Sequence, residues 1–92
     1  MGTEQLETIR AFDVWKRKGP GELVRYRCFE DCSNSRFCVQ SADFYQSPIT
    51  PDRLLQLEKQ FIELLLEESP FSRSESFPTV EEAIADHDAS FK

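Results

Sequence analysis

The chain has 92 residues, of which 39% are apolar and 12% aromatic, and its formal net charge is -6. This length suffices for one core of modest size, so residues 1–92 are predicted to form a single small domain. The acidic balance argues against nucleic acid as a partner, because phosphate binding needs a positively charged face. The whole excess lies in residues 50–92, which hold ten acidic and four basic side chains, against seven of each in residues 1–49.

Residues 1–10 are polar and predict a flexible lead-in rather than an apolar secretion signal. The chain has three cysteines, an odd number that does not suit a framework of disulfides. Its longest apolar run, residues 64–66, is too short to cross a bilayer. We therefore expect a soluble, cytoplasmic protein with no membrane partner.

Residues 11–45 predict a three-stranded antiparallel β-meander. The first turn is marked by Gly19, Pro20 and Gly21, since glycine adopts the unusual backbone dihedrals of a tight reversal and proline favours turns. Centring the turn on Pro20 defines which residues of the first two strands face each other.

This register gives the two faces of the hairpin different chemistry. One face pairs Phe12 with Cys28, Val14 with Tyr26 and Lys16 with Val24, and the other pairs Asp13 with Arg27 and Trp15 with Arg25. Because a buried face must present its apolar residues together, the first face is predicted to lie beneath the long helix and the second to face outward.

The third strand follows a polar loop at residues 31–35. Centring this loop places Cys28 opposite Cys38, which is the register we prefer. A slip of one residue would bring Phe37 and Val39 to the core face instead.

Residues 50–68 predict a long α-helix, since Thr50 can cap it, Pro51 suits its first turn and Asp52 complements its dipole. Two apolar stripes together span roughly 200° of the helix, more than contact with one core requires. The first stripe, predicted to pack on the sheet, contains Leu54, Leu57, Phe61, Leu64 and Leu65. The second stripe, which needs a separate cover, contains Leu55, Ile62 and Leu66.

A loop is predicted at residues 69–78 and a short helix at residues 79–88, with Thr79 as its cap. This short helix could cover the second stripe of the long helix, together with Phe71 and Phe77, and a second copy of the chain could do so equally well. The predicted fold class is α+β: a three-stranded antiparallel β-meander packed against one long α-helix, with a short C-terminal helix.

The outward face of the sheet offers a candidate interaction surface. Its residues are Trp15, Arg17, Arg25, Arg27 and Phe29. Aromatic and basic side chains together are typical of protein interfaces and of sheets that bind single-stranded nucleic acid. A third interpretation needs no ligand. Arg25 stacks on Trp15 and Arg27 pairs with Asp13, so that the polar and aromatic groups of this face interact with one another.

The cysteines offer a second candidate site. The spacing of Cys28, Cys32 and Cys38 does not match the paired C-x2-C pattern of zinc ribbons. Our main interpretation is three plain thiols, because buried cysteine behaves as a small hydrophobe. A three-thiolate metal site and a redox pair of Cys28 and Cys38 are the alternatives.

No phosphate-binding loop, nucleophile motif or metal-ligand set appears in the sequence, so we expect no enzyme activity and no cofactor. His87, the single histidine, falls on the apolar stripe of the short helix and is expected to be structural. The leading prediction is a protein-interaction or regulatory module that binds a protein partner or a second copy of itself. A weak single-stranded nucleic-acid binder and a cysteine-based metal or redox protein are the alternatives.

Overall fold

A computed structural model describes residues 6–90 of the chain. The strands β1 (Ile9–Gly19), β2 (Glu22–Asp31) and β3 (Arg36–Gln46) form one antiparallel sheet in the order β1-β2-β3. The helices are α1 (Pro51–Glu67), α2 (Pro70–Arg73) and α3 (Val80–Ser90), so the α+β class is confirmed. Of the predicted lead-in, residues 1–5 lie outside the described residues, and Ile9 and Arg10 already belong to β1.

The first hairpin has the predicted register. Pro20 and Gly21 occupy the turn, where Gly21 has a φ of 72°, a conformation that favours glycine. All five predicted pairs are found: Phe12 with Cys28, Val14 with Tyr26, Lys16 with Val24, Asp13 with Arg27 and Trp15 with Arg25.

The preferred register of the third strand is wrong, and the slipped one is found. Cys28 lies opposite Val39, not Cys38. The connecting turn is residues 32–35, one residue shorter than the predicted loop, and Asp31 pairs with Arg36. The Asp31 carboxylate stabilises this turn by accepting hydrogen bonds from Ser33 N and Asn34 Nδ2, at 3.0 and 2.9 Å.

A β-bulge in β3 then changes which residues share a face. Cys28 pairs with Val39 and Arg27 pairs with Ser41, so Gln40 is the extra residue. The bulge keeps Val39 and Ala42 on the same face of the sheet although they are three residues apart. This change of alternation is not apparent in the sequence pattern.

The two faces of the sheet are covered by different helices. The first, which we call the α3 face, carries Val14, Val24, Tyr26, Cys28 and Val39, and these pack against Ala83 and Ile84 of α3. Phe37 and Phe77 extend this core and are joined by two backbone hydrogen bonds of 2.8 Å. The prediction that the long helix covers this face is therefore wrong, since the short C-terminal helix covers it.

The long helix lies on the opposite side of the sheet, on what we call the α1 face, which carries Trp15, Arg25, Arg27, Phe29 and Tyr45. The Phe29 ring stacks on the Phe61 ring of α1, with centroids 5.7 Å apart. Leu57 of the same helix is buried. The sheet is thus the middle layer of three, and both of its faces contribute to the core.

The helix ends follow their capping signals. Thr50 Oγ1 accepts a hydrogen bond from Arg53 N and Thr79 Oγ1 accepts one from Glu82 N, as predicted for the two caps. Within the predicted loop, Ser69 caps the single turn of α2, because its Oγ accepts from Phe71 N.

Candidate functional site

The five residues of the predicted sheet surface are divided between the interior and the exterior. Trp15 is 49% exposed and Arg17 is also exposed, whereas Arg27 is 2% exposed and Phe29 is fully buried. Two members of the predicted surface, Arg27 and Phe29, are therefore covered by α1 and do not belong to an exposed surface. Arg25 lies between these extremes, with 22% of its side chain exposed.

Arg27 is buried because its charge is met by two carboxylates. Its Nε donates to Asp43 Oδ2 at 2.8 Å, and its Nη1 donates to Glu58 Oε1 of α1 at 3.3 Å. The guanidinium also lies over the Phe61 ring, 4.6 Å from its centroid. Burial of an arginine is tolerated when it is paired and hydrogen-bonded in this way, so Arg27 joins the sheet to α1 rather than facing a ligand.

The guanidinium of Arg25 is paired and stacked within the sheet. Its Nη2 donates to Asp13 Oδ2 at 2.8 Å, and its guanidinium lies 5.2 Å from the Trp15 ring centroid. The hydrogen bond to Asp13 raises the pKa of Arg25 above its ordinary value. The predicted stacking on Trp15 is confirmed, but Asp13 pairs with Arg25 and not with Arg27.

The cysteines are separated by the sheet. Cys28 and Cys38 are buried, and burial raises the pKa of each thiol to about 12. Cys28 pairs with Val39 and belongs to the α3 face, whereas Cys38 pairs with Phe29 on the α1 face. Since facing residues of an antiparallel pair project to the same side, the two thiols point to opposite sides of the sheet. The predicted redox pair is therefore not brought together.

A polar cluster at the end of α3 was not predicted. Asp88 accepts hydrogen bonds from Tyr26 Oη at 2.8 Å and from Lys16 Nζ at 3.2 Å. The ring of His87 contacts the ring of Tyr26 edge to face, and burial lowers the pKa of His87. The cluster anchors α3 to the sheet, and it involves a lysine that the strand alternation placed among apolar residues.

Three apolar residues on the outer side of α1 remain uncovered. Leu55, Ile62 and Leu66 are 69%, 45% and 81% exposed. At about 100° per residue, they lie within roughly 40° of one another, and Leu66 lies opposite the buried Leu57. We call these three residues the outer stripe. The C-terminal helix that could have covered it lies on the other side of the sheet.

The borders of the outer stripe are charged. On one side, Lys59 Nζ and Glu63 Oε2 form an ion pair of 2.6 Å, and both side chains are largely exposed. On the other side, Glu58 is directed to Arg27 of the sheet. An apolar centre with a charged rim is the usual composition of a small protein interface.

A second exposed apolar group was not identified from the sequence. Leu23, Phe44 and Ile49 are exposed near the first turn and line a shallow cleft together with Lys18 and Arg53. The alternation of β3 could have predicted which face Phe44 lies on, but the bulge at Gln40 reverses the alternation, and the sequence does not show the bulge.

Within residues 6–90, no three side chains of His, Cys, Asp or Glu are grouped so that they could hold a metal ion. In the same part of the chain, no helix combines the length and the apolar character needed to cross a membrane. Comparison of the chain with protein-family models gave no match, and comparisons with curated proteins and with solved structures gave no significant match.

Proposed function

We propose that this chain is a non-catalytic protein-interaction module whose binding surface is the outer stripe of α1. The observation that carries the proposal is the exposure of Leu55, Ile62 and Leu66 on a helix whose opposite side is already packed. Single exposed apolar residues are common, but an aligned group on a rigid helix marks an interaction site.

Contacts between α1 and the sheet favour binding at the outer stripe. Phe61 and Glu58 hold the helix to Phe29 and Arg27 of the sheet. A partner would therefore meet a stripe that is already ordered, and little conformational entropy would be lost. Burying one leucine or isoleucine side chain contributes about 1.5–3 kcal/mol, so three can support a specific but modest affinity.

We place this function in the cytoplasm. Cys28 and Cys38 are free and buried on different faces of the sheet, and Cys32 is free and exposed. Free cysteines of this kind suit a reducing compartment.

The nucleic-acid alternative has less support. Stacking of bases requires accessible aromatic rings next to accessible positive charge. Phe29 is buried against Phe61, and Arg27 is paired with Asp43 and Glu58. Trp15 and Arg17 are the members of the set that stay at the surface.

The proposal is tested by site-specific photo-crosslinking of the full chain in its native host cell. A benzophenone amino acid replaces Ile62 or Leu66 of the outer stripe, or Arg17 of β1 as an exposed control. We expect covalent protein adducts from positions 62 and 66 and few from position 17. Equal adducts from all three positions, or none from the stripe, would overturn the proposal.

A further inference from the structure

We infer that the protein bound by the outer stripe is a second copy of this chain, with the two α1 helices packed antiparallel. This inference rests on the proposed function and adds the identity and the orientation of the partner. It is carried by the spacing of the stripe and by the charges at its border.

The spacing is that of a short two-stranded helix pair. Leu55, Lys59, Ile62 and Leu66 follow one another at intervals of four, three and four residues. This alternation is the seam of a heptad pattern, in which one helix packs against another along its length. The 17 residues of α1 make a helix about 25 Å long, so the seam has room for two heptads.

Lys59 lies at the border of the outer stripe and also occupies one position of this seam, and its charge distinguishes the two orientations. In a parallel pair each seam residue faces its own copy, so Lys59 would face a second Lys59 and the two charges would repel. In an antiparallel pair centred between residues 60 and 61, Lys59 faces Ile62 of the other chain instead. Its ammonium, which pairs with Glu63 of its own chain at 2.6 Å, can then exchange to Glu63 of the other chain, which lies at nearly the same level.

The glutamates at the borders of the outer stripe also favour the antiparallel orientation. Glu58 and Glu63 lie on opposite sides of the outer stripe, and a parallel pair would bring Glu58 of one chain close to Glu63 of the other. In the antiparallel pair, the border that carries Lys59 and Glu63 meets the same border of the second chain in reverse. Two Lys59–Glu63 pairs form by symmetry, so the surface is complementary to itself.

The extent of this contact limits the affinity. A single pair of short helices lies at the low end of specific interface sizes. The lysine in the seam weakens the pair further, as polar residues at such positions do. We therefore infer a reversible dimer with a dissociation constant in the micromolar range.

The antiparallel pair makes a specific geometric prediction. Leu55 of one chain lies beside Leu66 of the other, whereas the two copies of Leu55 are separated by about 16 Å, which is eleven residues at 1.5 Å each. Cysteines can form a disulfide only when their Cα atoms approach within about 7 Å. Disulfide formation therefore reports the orientation.

The experiment uses the full chain with Cys32→Ser, so that the exposed native thiol is removed. Leu55→Cys and Leu66→Cys are introduced in separate preparations, which are oxidised mildly, each alone and as a mixture. Because both residues are on the exposed side of α1, circular dichroism and the melting temperature should match those of the Cys32→Ser parent when all are measured at a chain concentration below the dimer dissociation constant. We expect the mixture to form the 55–66 interchain disulfide at least tenfold faster than either variant alone.

Rapid cross-linking of Leu55→Cys with itself would overturn the antiparallel orientation. Absence of interchain disulfide at millimolar chain concentration would overturn pairing between copies. If the photo-crosslinks from position 62 then have the mass of a different protein, the proposed function stands without the self-pairing. If no photo-crosslinks form, both fail.

Discussion

The ring of Phe29 on β2 stacks on the ring of Phe61 on α1, with centroids 5.7 Å apart and planes inclined by 10°. This contact sets the rotation of the helix about its own axis, because Phe61 must point at the sheet. Leu57, one turn earlier, is buried by the same rotation. Leu55, Ile62 and Leu66 are consequently turned away from the sheet, so the stacking of Phe61 on Phe29 accounts for the exposure of the outer stripe.

The buried arginine should be essential for stability. Arg27→Ala leaves the carboxylate of Asp43, which is largely buried, without its 2.8 Å partner. We expect the free energy of unfolding to fall by about 3 kcal/mol, in the range found when one member of a buried ion pair is removed. Urea denaturation measures this change. Arg17→Ala, at an exposed position of β1, is the matched control and should change stability by less than about 0.5 kcal/mol; equal effects of the two variants would contradict the assignment.

The first turn should require glycine at position 21 but not at position 19. Gly21 has a φ of 72°, and a Cβ added there would lie 2.7 Å from Ser47 Oγ. Gly21→Ala is expected to cost about 1–2 kcal/mol, since an alanine in this backbone conformation is strained. At Gly19 the nearest atom to an added Cβ is Glu22 Oε2, at an ordinary 3.7 Å. Thermal melts of the two alanine variants should therefore differ, and a Gly19→Ala variant as unstable as Gly21→Ala would refute the explanation.

The three cysteines should differ in reactivity. Cys28 and Cys38 are buried, and the pKa of each is raised to about 12, so both remain protonated at pH 8. Alkylation of the native protein with iodoacetamide should modify Cys32 alone, and all three thiols should react in denaturant. Mass spectrometry counts the labels, and Cys32→Ser should remove the native one. Rapid native labelling of Cys28 or Cys38 would show that the core opens readily.

The single histidine should make stability depend on pH. Burial lowers the pKa of His87 more than Asp88 and Asp86 raise it. The unfolded chain therefore takes up a proton more readily than the folded chain, and the free energy of unfolding falls as pH drops through the ordinary histidine pKa of about 6.5. The decrease levels off once the pH is below the pKa of the folded state.

His87→Gln isolates this effect. The difference in unfolding free energy between pH 7.5 and pH 5.5, from urea titrations, should be smaller in the variant than in the parent. The carboxylates whose pKa values are lowered, such as Asp88, lose their contribution at more acidic pH and leave this window little changed. An unchanged difference would mean that His87 titrates alike in the folded and unfolded chains.

Local signals in the sequence were sufficient for the first hairpin and for the helix caps. The dihedral needed at Gly21 and the apolar alternation around Val14 and Tyr26 act within one hairpin, so their consequences can be worked out from adjacent residues. The caps at Thr50 and Thr79 depend on an amide three residues away, which is also local.

The arrangement of the layers depends on contacts that the sequence does not display. Arg27 was predicted to face outward because it shares the hairpin face opposite the apolar one. Its burial requires Asp43 and Glu58, which are distant in the chain, because a lone arginine is costly to bury. The register of β3 depends on the turn built by Asp31 and on the bulge at Gln40. For these reasons the long helix was predicted on the wrong face, although its second apolar stripe was identified.

Self-association through the outer stripe is tested most directly by sedimentation equilibrium of the unmodified chain from about 5 to 500 µM, a range set to bracket a micromolar constant. The chain mass is 10.7 kDa. We predict that the average mass rises with concentration toward twice this value, that Ile62→Lys abolishes the rise, and that Lys59→Leu moves it to about tenfold lower concentration. An average mass that stays at 10.7 kDa over the whole range, in both the parent chain and Lys59→Leu, would contradict self-association through the outer stripe.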